Sequence, residues 1–179
     1  MIMYTERNVR TKIPEKIVRK VEKLAARRCD CWLIGSRARG DYEPDSDWDI
    51  NCICKDPPTD RYYDKIDGNK VAVRFFDINK VSDMTKVVIF GEGVKIVDNL
   101  GIEYRLNRDE VVRACISESR KIVSKMSDWL ARHSDEFPFK PDLNFGALDY
   151  WRNNLVSVNK TCRLALGKVK NGDRTLFIK

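Results

Sequence analysis

The chain has 179 residues and carries 34 Lys or Arg against 27 Asp or Glu, a net charge of +7. That length suits one domain or two small ones with a real core. No apolar run approaches the ~20 residues that span a bilayer, and the N-terminus lacks the apolar centre of a signal peptide, so a cytoplasmic protein is expected.

Pro14 to Arg28 reads as an amphipathic helix with Ile17, Val18, Val21, Leu24 and Ala25 on one face. Pro14 is tolerated in its first turn. Cys31 to Ile34 reads as a strand that runs into Gly35-Ser36. Arg37 to Gly40 then begins a short helix, whose N-terminus would aim N–H groups at a phosphate. Pro44 and Ser46 end it. A second strand, Asp47 to Cys54, carries two acids. Strand side chains alternate, so Asp47 and Asp49 share a face. Lys55 to Asp60 contains Pro57-Pro58 and is read as loop. Asp67-Gly68 marks a turn, and Lys70 to Asp77 is a third strand. Val81 to Phe90 reads as a short helix ended by Gly91 and Gly93. Val94 to Asp98 is a further strand, with Asn99-Leu100-Gly101 as a turn.

The pattern then becomes helical. Asn107 and Glu110 have the spacing of a capping box. Val112, Cys115, Ile116, Ile122, Val123, Met126, Trp129 and Leu130 form an apolar stripe through His133. Pro138 and Pro141 break the chain. A second helix runs from Phe145 to Lys168, with Leu148, Trp151, Leu155, Val158, Cys162, Ala165 and Val169 at helical spacing. The expected division is a core over 1–106 and a helical subdomain over 107–179, its two antiparallel helices packed on the sheet. Residues 1–106 hold 20 basic and 18 acidic residues, and 107–179 hold 14 and 9. A positive excess suits triphosphates or RNA, and is also common on proteins that bind neither. Arg152, Lys160, Arg163 and Lys168, with Lys170, Arg174 and Lys179 beyond, make either a solvated helix face or a wall that meets phosphates.

Six cysteines include the pairs Cys29/Cys31 and Cys52/Cys54. Zinc ligands usually come from turns with wider spacing, so buried free thiols are expected ahead of a metal site. A cross-strand disulfide is the alternative if the source is a hyperthermophile, and the absence of glutamine leans that way. The single histidine, His133, excludes chemistry built on several imidazoles and suits a helix C-terminal cation.

The informative stretch is Ile34-Gly35-Ser36-Arg37-Ala38-Arg39-Gly40 followed by Ser46-Asp47-Trp48-Asp49. Two carboxylates held this close repel unless a cation lies between them. Gly-Ser offers a close backbone approach, an N–H and a hydroxyl, which suit a phosphate. These residues resemble the signature of the DNA polymerase-β-like nucleotidyltransferase superfamily, in the form seen in its minimal members and in antibiotic adenylyltransferases. The resemblance implies an α/β (α+β) fold: a small mixed-sheet nucleotidyltransferase core with a C-terminal helical subdomain. It implies transfer of NMP from an NTP, such as ATP, to an acceptor hydroxyl, with release of pyrophosphate. Asp47 and Asp49 would hold Mg2+, or Mn2+, with triphosphate oxygens completing the shell. Gly35, Ser36, Arg37 and Arg39 would bind the nucleotide phosphates.

The superfamily usually adds a third acid from the next strand. Asp77 has the expected hydrophobic–acid–hydrophobic setting and is the candidate third catalytic and metal-binding residue. Its parity is awkward, because it matches Val71, Val73 and Phe75 and not Ala72 or Arg74. Asp77 reaches the site only across a bulge or past the strand end. Asp64 is a weaker substitute. If Ala72 or Arg74 takes the third position, metal binding or catalysis suffers.

Two readings therefore stand. One is an active nucleotidyltransferase whose acceptor is left open among RNA ends, antibiotics, proteins and small metabolites. The other is a catalytically degraded fold that binds nucleotide or RNA, or that serves as the antitoxin-like partner of another protein. A homodimer is compatible with either. A plain phosphate-binding α/β protein is the fallback.

Overall fold

In the strand Trp48–Cys54, alternate residues Trp48, Ile50, Cys52 and Cys54 enter one apolar core. Asp49, Asn51 and Ile53 take the opposite face. This alternation organises a five-stranded mixed sheet. The structure is a computed structural model and describes residues 13–133 and 141–175. Pro138, Lys179 and the side chains of Lys170 and Arg174 lie outside what is described.

In chain order the elements are α1 (Glu15–Ala25), β1 (Cys29–Ile34), α2 (Gly35–Arg39), β2 (Trp48–Cys54), β3 (Arg61–Ile66) and β4 (Asn69–Asp77). A 3-10 turn (Ile78–Lys80) follows, then α3 (Asp83–Glu92), β5 (Val94–Val97), α4 (Arg108–His133) and α5 (Pro141–Thr175). The strands lie in the order β3-β4-β2-β1-β5. β2 pairs parallel with β4, and the other pairings are antiparallel.

By their contacts the residues form two compact units. The first comprises Met1–Ser82 and Glu92–Tyr104, the second Asp83–Gly91 and Arg105–Lys179. In the first unit, Ile17, Val21 and Ala25 of α1 are buried with Cys31, Leu33, Ile50, Val71, Val73 and Phe75 of the sheet. In the second, Val87 of α3 packs with Val111 and Ala114 of α4 and Ala165 and Val169 of α5. The capping box at the start of α4 forms in both directions: Glu110 N–H donates to Asn107 Oδ1 at 3.0 Å, and Asn107 N–H donates to Glu110 at 2.8 Å.

The fold departs from the sequence reading at the last helix, which begins at Pro141 and not at Phe145, at an added strand and at the cysteines. β3 was not expected; its alternation places only Tyr62 and Ile66 against the core, which is too sparse a pattern to read. The cysteines are not free thiols. Cys29 pairs with Cys54, Cys31 with Cys52, and Cys115 with Cys162. The first two link residues directly opposite on β1 and β2, with Cα atoms 4.1 Å apart.

Candidate active site

At the end of β1 the chain turns at Gly35, whose φ of +77° strains any residue with a Cβ. A Cβ there would also lie 3.1 Å from Asp49 Oδ2. The Gly-Ser turn and one acid of the Asp-x-Asp pair are thus in near contact. β1 and β2 bring this about by pairing Ile34 with Asp49. Asp49 is half-buried on β2, and Asp47 is exposed one step before the strand.

Burial pushes the Asp49 carboxyl above its ordinary value of 3.8; Arg74 and Arg39 pull it down, while Asp47 and Glu92 push it further up. A carboxylate crowded by two others in a partly dry setting gains most from a cation. The donor set is all oxygen, which suits a hard divalent ion such as Mg2+. Among the described residues no group of three or more His, Cys, Asp or Glu side chains is placed to hold a metal. Asp47 and Asp49 fit such an ion only as a pair, and a bound phosphate would have to supply further ligands. Asn51, one alternation beyond Asp49, buries a side-chain oxygen with no hydrogen-bond partner.

The third acid is not where the sequence pattern suggested. In the parallel register Ala72 lies beside Asp49, Arg74 beside Asn51, and Asp77 beside Cys54. Asp77 is five residues further along, about 17 Å at strand rise. It accepts the Asn79 N–H at 2.9 Å and pairs with Lys80, so it caps the 3-10 turn. No bulge intervenes to bring it back. Asp64 lies opposite Val71, on the core-side face, where it accepts the Tyr62 hydroxyl and pairs with Lys20. The side chain that flanks the acid pair from β4 is a cation, Arg74.

The two arginines of the Gly-Ser-Arg-Ala-Arg run have other partners. Arg37 is buried, donates to Ser46 O at 2.9 Å and Pro44 O at 3.1 Å, and lies over the Trp48 ring at 4.3 Å. It braces the loop between α2 and β2 and so sets where Asp47 begins. Arg39 donates to Glu92 at 2.9 Å and to Asp41 at 3.2 Å.

Glu92 was not singled out from the sequence. Its side chain is only 3% exposed. One oxygen takes the Gly35 N–H and the other takes Arg39, so a single carboxylate holds both ends of α2. The only sequence signal was an acid between two glycines, which reads as a helix end. Asp30 was also missed. It is fully buried on the same sheet face and accepts the N–H groups of Asn99, Leu100 and Ile102 at 2.6, 2.6 and 2.7 Å. That fixes the turn after β5.

No curated protein matches the chain. Among solved structures, a mutant of the toxin–antitoxin MntA–HpeT is similar at 15% identity and a TM-score of 0.32, over 69% of this chain and 94% of that one. A toxin–antitoxin with AMP-PNP is similar at 17% identity and a TM-score of 0.31, over 68% and 95%. The nucleotidyltransferase domain model matches residues 14–134, a span that includes the Gly35-Ser36 turn and both acids. With a match over that much of its length, the chain belongs to the nucleotidyltransferase domain family.

Proposed function

We propose that the chain transfers a nucleoside monophosphate from an NTP to an acceptor hydroxyl, with Mg2+ held by Asp47 and Asp49 and pyrophosphate released. The observation that carries this reading is the approach of Asp49 Oδ2 to Gly35, which puts a carboxylate beside the Gly-Ser turn. Held by Asp47 and Asp49, the metal would supply charge neutralisation for the triphosphate and would lower the pKa of the acceptor hydroxyl. The Ser36 hydroxyl binds a β- or γ-phosphate oxygen. Gly35 keeps the turn free of a side chain, so the phosphate can approach the backbone. Arg39, shared between Glu92 and Asp41, keeps α2 in shape, and Arg37 holds the loop that delivers Asp47.

A second reading is favoured by one observation: Ala72 and Arg74 occupy the β4 positions beside Asp49 and Asn51, with no acid there. On that reading the chain is a nucleotide- or RNA-binding module, or an antitoxin-like partner of another protein.

One experiment separates the two. Labelled NTPs with Mg2+ are incubated with RNA ends, proteins and small hydroxyl compounds, and NTP binding is followed in parallel by calorimetry. The first reading expects labelled product that Asp47→Asn and Asp49→Asn abolish. NTP binding without product on any acceptor supports the second. Absence of both NTP binding and product would sink the first reading and the nucleotide-binding form of the second.

A further inference from the structure

The sheet face that carries Asp49 continues outward to the edge strand. Beside Asp49 lies Ala72 on β4, and beside Ala72 lies Tyr63 on β3. The next row along is Asn51, Arg74 and Arg61. On the other side of Tyr63, Lys65 pairs with Lys70. Tyr63 is 62% exposed, and all four cations are exposed. None of the four forms an ion pair among the described residues, although Arg74 acts on Asp49 through its charge.

An exposed ring between two rows of cations, on one face of a sheet, is the chemistry of a single-stranded nucleic-acid platform: bases stack on the aromatic face while phosphates meet the flanking charges. Two strand spacings separate Tyr63 from Asp49, about 10 Å. A base stacked on Tyr63 thus leaves the end of its strand within reach of the carboxylates. Resting on the nucleotidyl-transfer reading above, we infer that the acceptor is the end of a single-stranded nucleic acid, held by Tyr63 with Arg61, Lys65, Lys70 and Arg74.

Edge strands often carry lysine simply to deter pairing with other chains. That accounts for Lys65. It does not account for Lys70 and Arg74, which lie on β4 inside the sheet, nor for an exposed tyrosine, which such protection has no use for. An acidic protein surface would meet the four cations and could cover the ring as well; what favours a strand is the placement of the ring two strands from Asp49, which a strand end can span.

The test is fluorescence anisotropy with a labelled 12-nucleotide RNA, and DNA of the same sequence, in EDTA over a series of salt concentrations. Calorimetry with Mg2+ and ATP runs alongside on the same proteins. Wild type binds the strand with an affinity that falls as salt rises. The Arg61→Ala/Lys65→Ala double variant lowers the slope of log K on log salt by about 1.4, at ~0.7 per phosphate contact. Tyr63→Ala weakens strand binding about tenfold, and Tyr63→Phe restores it. All these variants bind ATP as wild type does. No strand binding at low salt overturns the inference, as does strand binding indifferent to Tyr63 and to the cations. Loss of ATP binding in Tyr63→Ala also overturns it, by assigning the ring to the NTP. Strand binding is read without metal or NTP, so it fails separately from nucleotidyl transfer.

Discussion

The Gly35 amide donates to Glu92 Oε1 at 2.8 Å, although 57 residues separate the two in sequence. The other Glu92 oxygen takes Arg39, whose side chain is only 11% exposed. Removing Glu92 leaves the largely buried Arg39 with Asp41 as its remaining carboxylate and takes the acceptor away from the Gly35 N–H. Glu92→Ala is therefore expected to cost about 3–5 kcal/mol, read from the urea midpoint. Glu92→Gln keeps an acceptor for the Gly35 N–H and should lose less. Equal midpoints for wild type and Glu92→Ala would show that the contact contributes nothing.

Asp49 sets a pH dependence of definite sign. Its folded carboxyl is raised above 3.8, chiefly by burial, with Asp47 and Glu92 adding to the effect against Arg74 and Arg39. Between the ordinary and the raised value, the folded chain keeps a proton that the unfolded chain has released. Stability therefore falls as pH rises through that window and stays lower above it. Asp49→Asn should melt at a higher temperature than wild type at neutral pH, with the gap closing below about pH 3. Mg2+ with NTP should raise the melting temperature of wild type and not of Asp49→Asn. A variant less stable than wild type at neutral pH would contradict this.

Asp30 anchors the turn after β5 with three backbone N–H groups and an ion pair to Lys95 at 3.1 Å. Burial pulls the Lys95 ammonium down, but hydrogen bonds to Asp98 and Asp30 outweigh it and hold the group above 10.5. Asp30→Ala should cost about 3–5 kcal/mol, because several donors lose their acceptor at once. Hydrogen exchange gives the local check: the amides of Asn99, Leu100 and Ile102 should lose protection first. Unchanged protection there would refute the assignment.

The Cys115–Cys162 bridge joins α4 to α5 across 47 residues of chain. A loop of that length limits the unfolded state by about 4 kcal/mol. The Cys115→Ser/Cys162→Ser double variant should lower the denaturation midpoint by up to that amount. Peptide mapping without reductant should recover the three pairs; a free thiol at Cys115 would remove the basis of the prediction.

The turn and the acid pair were legible because both are local. A glycine at positive φ, an alternation of period two and the spacing between them all lie within residues 34–50. The family match spans these residues. Asp77 was misplaced because its position depends on which residue of β4 lies beside Asp49. That is a register between strands brought together over distance, and no short motif states it. Glu92 and Asp30 were invisible for the same reason, since their partners come from remote segments. Strand pairing also separated the charges. The net excess in 107–179 drew attention to the helices, whereas Arg74 of β4 acts on Asp49 directly and Arg61, Lys65 and Lys70 share its sheet face, and only alternation across two strands brings them to one surface.

The β3–β4 hairpin turns at Asp67 and Gly68, both at positive φ, and its tip lies toward the same end of β4 as Ala72, the neighbour of Asp49. A Cβ on Gly68 would meet nothing within 4 Å. Residues added at this tip would rise as a new rim next to the carboxylates, while β2, β4 and their shared register kept their places. The position of this turn thus separates two parts of the fold: the sheet interior holds the acid pair in register, and the tip, tied to α1 by the Lys16–Asp67 ion pair, lies outside that register.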